Sequence, residues 1–263
     1  MVSTARLALV EHGTHEPQGD SALVLNGHIA STSQVEWEVL WREHREHYCR
    51  VVGEMRTADE HALHAELLFC LLSGHGVPFE LALSAARHLG AFSIFSRRRS
   101  ADELRHLLIH ELSRPQFEPR KRDGELRRYR YPRRKADVLI GARQWLLAHL
   151  PLYDQLASIG DERKRRRFLC ECPGVGQKTA SWLLRNVGLA ESLAVVDVHV
   201  LRALAQTDRL RGMRLPRDYE RIETAFLDWC GELSAPPAAF DLFIWEVQRG
   251  DLQSASRLER TGA

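Results

Sequence analysis

Hydrophobic positions recur at helical spacing over most of this chain, and the breaks between them fall at glycine and proline. From Gln34 onward, Val35, Trp37, Val39 and Trp41, then Tyr48 and Val52, predict a first helix, on which His44 and His47 fall on a solvated polar face. Ala62 to Gly90 predicts two strongly apolar helices around a break at Ser73-Gly74-His75-Gly76. Cys172 to Ala203 predicts a tight turn, a helix, and a buried apolar run that stops at a carboxylate, Asp197, before another helix through Leu201 and Leu204. Pro216 interrupts a polar stretch, and Tyr219–Leu233 and Phe240–Gln253 predict two more helices. Residues 1–33 differ: Arg6–Val10 and Ala22–Ile29 are short apolar runs bounded by Gly, Pro and Asp, and Asn26-Gly27 is a turn dipeptide. The expected fold is therefore all-α, with a β-hairpin-like addition or arm over residues 1–33 and a helical domain over 34–263.

The turn within Cys172–Ala203 carries the chemistry. Pro173, Gly174, Val175 and Gly176 allow the chain to reverse, because proline presets φ and glycine takes left-handed dihedrals without a Cβ clash. The helix that follows begins with amides at Gly176, Gln177 and Lys178 that have no intrahelical acceptor, so an anion such as a DNA phosphate can approach them. Ala180, Trp182, Leu183, Leu184 and Val187 supply its packing face, and Gly188 its C-terminal stop.

Pro173 to Ala180, followed by Val196-Asp197-Val198-His199, resembles the signature of the helix-hairpin-helix DNA glycosylase superfamily. The resemblance spans about residues 62–250, with the motif itself at about 163–188, and implies a two-lobed helical fold with a cleft between the lobes. It assigns Lys178 as the nucleophile of a bifunctional enzyme and Asp197, 19 positions later, as the essential carboxylate. It also implies DNA contact by Gly174, Val175, Gly176, Gln177, Thr179 and His199. Archaeal-type 8-oxoguanine DNA glycosylases are the most similar branch. The Glu66-to-Leu72 segment ending in Ser-Gly-His-Gly resembles theirs and places Ser73 and His75 near DNA. Asp241-Leu-x-x-Trp245 resembles their last helix and places Asp241 and Trp245 at the base pocket.

These residue types suit the reaction. Breaking an N-glycosidic bond puts positive charge on the deoxyribose, which a fixed carboxylate stabilises. A lysine attacks the sugar C1′ only when neutral, a form favoured by a helix N-terminus and by the cations at Arg163, Lys164, Arg165, Arg166 and Arg167. Other readings stay open at this point: Lys178 could serve phosphate alone, Asp197 could be only a helix N-cap, and Trp245 could be only core.

Charge and cysteines narrow the picture. The net charge is +2, so affinity for nucleic acid must come from local patches. One such patch is Arg114–Lys135, with ten Lys or Arg against three acids and Tyr129 and Tyr131 interleaved; part of it is expected to contact phosphate. Five cysteines lie at irregular spacing. Cys170 and Cys172 have no second pair at zinc spacing, and Cys230 alone occupies the region where endonuclease III relatives carry a four-cysteine cluster, so a reduced protein with no iron-sulfur cluster or catalytic metal is expected. The resemblance permits a monovalent cation at the hairpin carbonyls. No apolar run approaches bilayer length, which points to a cytoplasmic, nucleoid-associated monomer acting on double-stranded DNA.

The expected activity is a DNA glycosylase with AP lyase activity, with 8-oxoguanine the foremost candidate base. One feature departs from the archaeal type. There the chain ends soon after the tryptophan helix on a lysine whose carboxylate helps read the base, whereas this chain continues from Asp251 to Ala263 and has no lysine after Lys178. The competing expectations are a glycosylase that excises a hypermodified base in antiviral defence and a non-enzymatic protein that binds modified DNA.

Overall fold

The computed structural model describes residues 34–54, 59–74 and 76–249. The expected hairpin over 1–33, the side chain of His75 and the stretch from Asp251 onward lie outside them. Among the described residues there are eleven α-helices and a single isolated bridge, Phe117 with Arg127. The helices are α1 (Gln34–Glu54), α2 (Glu60–Leu72), α3 (Phe79–Gly90), α4 (Ala101–Ser113), α5 (Pro132–Ala148), α6 (Leu152–Ser158), α7 (Glu162–Leu169), α8 (Gln177–Asn186), α9 (Val198–Gln206), α10 (Tyr219–Glu232) and α11 (Pro237–Arg249). They fall into two compact units, one of residues 59–190 and one of 34–54 with 191–249.

The first unit is built around α2, whose Leu63, Leu67, Leu68, Phe69, Leu71 and Leu72 are all buried. From Glu66 to Leu72 every residue of this helix is buried, so that part must be surrounded, and α3, α5, α6 and α8 pack against the helix. Local signals start its neighbours. Asp59 caps α2 through the amide of Ala62, at 2.7 Å. Ser100 and Glu103 form a reciprocal capping box on α4, Pro132 occupies the first turn of α5, and Asp161 caps α7 through the amide of Lys164.

The second unit joins α1 to the last three helices. Trp37 meets Trp229 and Phe243 edge-on at 6.1 and 6.0 Å, and Trp41 meets Phe240 at 5.2 Å. Such edge-to-face contacts add about 0.5–1.5 kcal/mol each beyond the area they bury. Inside this core the Tyr48 hydroxyl donates to Glu246 Oε2 at 2.6 Å. The buried face of α1 is Trp37, Trp41, Tyr48 and Val52; Val39, expected on it, is 42% exposed because it projects from the opposite side of the turn.

Candidate active site

The turn between α7 and α8 is closed by the Val175 amide donating to the Cys172 carbonyl at 3.0 Å, with Pro173 and Gly174 as its central residues. Gly174 has φ +85, as a turn of this kind requires after proline. A Cβ there would also lie 2.4 Å from Val138 Cγ1 on α5 and 3.2 Å from Leu71 Cδ2 on α2. Gly141 of α5 faces Pro173 in turn, at 3.0 Å for an added Cβ. The hairpin is therefore pressed onto α5 and the end of α2.

Gly176 corrects the sequence reading. Its φ is −101 and its ψ 178, an extended conformation open to any residue, so its dihedrals do not demand glycine. What the missing side chain leaves is space: nothing lies within 4 Å of an added Cβ. Gly176 is the N-cap of α8, no side chain caps this helix, and the first helical bond is Ala180 N to Gly176 O at 2.8 Å. The first-turn amides thus face an open approach, an arrangement suited to an anion.

Gln177 is exposed, Lys178 and Thr179 are half-buried, and Val175 is buried. Lys178 sits one residue into the helix, with Nζ 5.3 Å from the centre of the Trp182 ring four residues later. Trp182 in turn packs edge-on to Phe69 at 5.4 Å. This indole therefore does two things: it seats the helix, and it offers the lysine a face on which its ammonium is attracted by the ring.

Buried polar pairs, not foreseen from sequence, fasten α8 to its neighbours. Asn186 Nδ2 donates to Glu66 of α2, and Arg166 of α7 donates to Ser181 Oγ at 3.3 Å. Glu66, Arg166, Ser181 and Asn186 are all buried. The available signal was a lone Glu inside the apolar run of α2, which is rare unless paired. The helix ends as expected near Gly188, with φ +73 and the Leu189 amide returning to the Leu184 carbonyl at 2.8 Å.

The cationic stretch beside the hairpin is only partly a surface. Arg165 donates to the carbonyls of Leu156, Ile159 and Leu189 at 2.9, 2.7 and 2.6 Å, and Arg166 is buried. Arg163, Lys164 and Arg167 are exposed. Helical periodicity divides any run of five between core and solvent, so the run does not act as one patch.

Arg114–Lys135 divides in the same way. Tyr129 is buried and its hydroxyl donates to the Leu72 carbonyl; Arg127 Nε donates to the Pro119 carbonyl at 2.7 Å. Lys135 donates to the carbonyls of Leu71 and Ser73, capping the end of α2, and burial pushes its ammonium down to about 8. Ser73 is the C-cap of α2, its Oγ turned back onto the Phe69 carbonyl at 2.9 Å. Burial likewise pushes the Cys172 thiol up to about 12, making it a packed core group.

In the second unit a buried run, Leu193 to Val196, leads into Asp197, the N-cap of α9. Its Oδ1 accepts from the amides of His199 at 2.7 Å and Val200 at 3.1 Å. The capping reading is thus correct, and it fixes the carboxylate in orientation. The His199 ring lies 6.4 Å from that of Trp245 on α11, its carbonyl accepts from Gln248 Nε2 at 2.9 Å, and its Nδ1 is buried with no hydrogen-bond partner among the described residues. Trp245 is half-buried against the aromatic core with the Arg249 guanidinium 4.4 Å over its ring, and Asp241, one turn earlier, is buried. Within this unit Asp197, His199 and Trp245 are brought together; Gly174 to Thr179, Lys178 included, form the other group, in the first unit.

The sequence profile of the 8-oxoguanine DNA glycosylase family matches residues 46–235. The 8-oxoguanine DNA glycosylase/AP lyase of Metallosphaera sedula is 28% identical over 202 residues, 75% of this chain and 87% of that protein. The crystal structure of the 8-oxoguanine DNA glycosylase of Thermotoga maritima matches with a TM-score of 0.61 at 25% identity, over 81% of this chain and 94% of that one. That of the Methanocaldococcus jannaschii 8-oxoguanine glycosylase/lyase, in complex with a 15-mer DNA containing 8-oxoguanine, matches with a TM-score of 0.62 at 23% identity, over 81% and 97%. Among the described residues, no helix is long and apolar enough to cross a membrane. With the hairpin, the lysine and the capped aspartate standing inside the matched span, the chain belongs to the helix-hairpin-helix family of 8-oxoguanine DNA glycosylases.

Proposed function

We propose that this protein is a DNA glycosylase with AP lyase activity that removes an oxidised base, 8-oxoguanine foremost, from duplex DNA. The observation that carries the reading is the open, uncapped head of α8 at Gly176, with Lys178 one residue inside it. A phosphate held by those amides brings the sugar of a nearby nucleotide toward the lysine. The target base is stacked in the duplex, so the nucleotide must first be turned out of the helix.

Asp197 then acts on charge. As the bond between C1′ and the base breaks, the deoxyribose becomes positive, and a carboxylate already oriented by two backbone amides stabilises it without reorganising. Lys178 Nζ, having given up its proton, bonds to C1′ while the base leaves with the electron pair of the broken bond and takes up a proton. The C1′–O4′ bond then breaks, O4′ takes up a proton and the nitrogen lone pair forms the Schiff base; loss of a proton from C2′ lets the C3′–O bond break, and the 3′ phosphate leaves with its electron pair. His199 lies in the first turn of the helix that Asp197 caps, with Trp245 of α11 beside its ring, and we assign them to contact with the DNA strand and the extruded base, respectively.

The test is a duplex with one 8-oxoguanine and borohydride in the reaction. Wild type should give a covalent protein–DNA adduct, and Lys178→Ala none; an adduct formed by Lys178→Ala at the wild-type rate overturns the assignment. Asp197→Asn keeps the cap but loses the charge, so excision should slow by about a hundredfold or more with folding retained. A panel with uracil, thymine glycol and a bulky modified cytosine settles the base: activity confined to the modified cytosine would favour a defence role over repair.

A further inference from the structure

We propose that Tyr131, Arg133 and Arg134, at the N-terminus of α5, the helix against which the hairpin packs, form a second contact with the DNA backbone; the proposal rests on the DNA-acting reading above. Most of the cations around this helix are occupied. Lys135 caps the end of α2, Arg127 holds the Pro119 carbonyl, Arg130 Nη1 donates to the Gly76 carbonyl at 2.7 Å, and Arg143 holds the carbonyls of Ser96 and Arg99. Arg133 and Arg134 are different: both are exposed, and neither has an acidic partner among the described residues. Asp137, one turn on, is taken by Arg105, whose Nε lies 2.6 Å from Oδ1.

Their placement does not serve the helix. Arg133, Arg134 and Lys135 crowd the first turn of α5, which carries no acidic residue, and cations there oppose the helix dipole. Arg134 also disfavours the buried ammonium of Lys135. Unneutralised charge at a place where it costs stability, in a chain of net charge +2, calls for an external anion. Tyr131 adds an exposed ring, 38% accessible, with the Arg130 guanidinium 5.1 Å from its centre. Arginines interleaved with an exposed aromatic suit a nucleic-acid strand better than an acidic protein.

Position supports the same partner. Val138 and Gly141 of α5 are the residues pressed against Gly174 and Pro173. From Arg134 to those contacts the helix rises about 6–10 Å, comparable to the step between neighbouring phosphates of one strand. The hairpin and the arginine pair can therefore grip neighbouring phosphates of one backbone.

The experiment is the salt dependence of duplex binding by the full chain, measured for wild type, Arg133→Ala/Arg134→Ala and the charge-matched control Arg87→Ala/Arg98→Ala, exposed arginines elsewhere in the same unit. The double variant should bind more weakly on damaged and undamaged duplexes alike, with the slope of log K against log salt reduced by about 1–2, and the control should keep the wild-type slope. Arg134→Glu alone should weaken binding further than Arg134→Ala. A wild-type slope in the double variant, or an equal reduction in the control, overturns the proposal. The outcomes separate the two readings: 8-oxoguanine excision with an unchanged slope removes only this contact, whereas a reduced slope without any base excision removes only the enzymatic reading. Absence of duplex binding by wild type removes both.

Discussion

Single residues in the hairpin separate shape from contact. Gly174→Ala must place a Cβ at φ +85 and 2.4 Å from Val138, so it combines left-handed strain with overpacking. The expected cost is about 2–4 kcal/mol, read as a lowered urea midpoint. Gly176→Ala meets neither obstacle, since its backbone is extended and its surroundings are open. It should cost under about 1 kcal/mol in stability, yet weaken duplex binding, because the added methyl group stands where a phosphate must approach the amides. Equal thermal losses in the two variants would contradict the division. Arg165→Ala belongs with Gly174: its guanidinium joins three carbonyls, so the expected loss is stability, about 1.5–3 kcal/mol, with little change in the salt slope.

At the scale of elements, the helices of the first unit are joined by buried polar groups as well as by apolar faces. Asn186→Leu should destabilise by about 1–3 kcal/mol, because it removes the amide donor from a buried Glu66 oxygen, which Cys70 Sγ also approaches at 3.8 Å, while keeping the volume of the site. A second joint links α3 and α4. Glu111 accepts from His88 at 2.7 Å, from Gln116 Nε2 at 3.1 Å and from His110 at 3.0 Å, and the His88 bond above all holds its carboxyl down from 4.5 to about 2. Folding lowers this pKa, so the contribution to stability is complete above about 4.5 and is lost as pH falls toward 2. Glu111→Gln should therefore flatten the fall in thermal midpoint over that acid range. An unchanged acid limb would mean that the joint carries no linkage.

For the whole molecule, near-neutral charge and DNA binding are compatible because the cations are sorted by position. Arg127, Lys135, Arg143, Arg165 and Arg166 spend their donors on the protein's own carbonyls and hydroxyls, while Arg133, Arg134, Arg163, Lys164 and Arg167 remain on the surface. Arg163→Ala/Lys164→Ala/Arg167→Ala should lower the salt slope without lowering the thermal midpoint, because these side chains are exposed and form no joint among the described residues. A lost midpoint with an unchanged slope would place them in the fold instead.

The elements and the chemistry of the hairpin were legible in the sequence because they are local. A proline and glycine turn, a helix start, and a carboxylate before an apolar helix act over a few residues, and α1, α2, α3 and α8 to α11 follow from periodicity over ten or so, whereas α4 to α7 were not among the expected elements. The sequence also determined the family, through Pro173–Ala180 and Val196–His199. Only the tertiary structure decided what depends on residues far apart in the chain. That α1 belongs with the last helices follows from Trp37 and Trp41 meeting Trp229, Phe240 and Phe243. That Tyr129 is core rather than surface follows from its bond to Leu72, 57 positions away. Which arginines face water, and which face a carbonyl, was likewise hidden. A guanidinium looks the same in sequence whichever partner it finds, and that partner is chosen by the packing of helices around it.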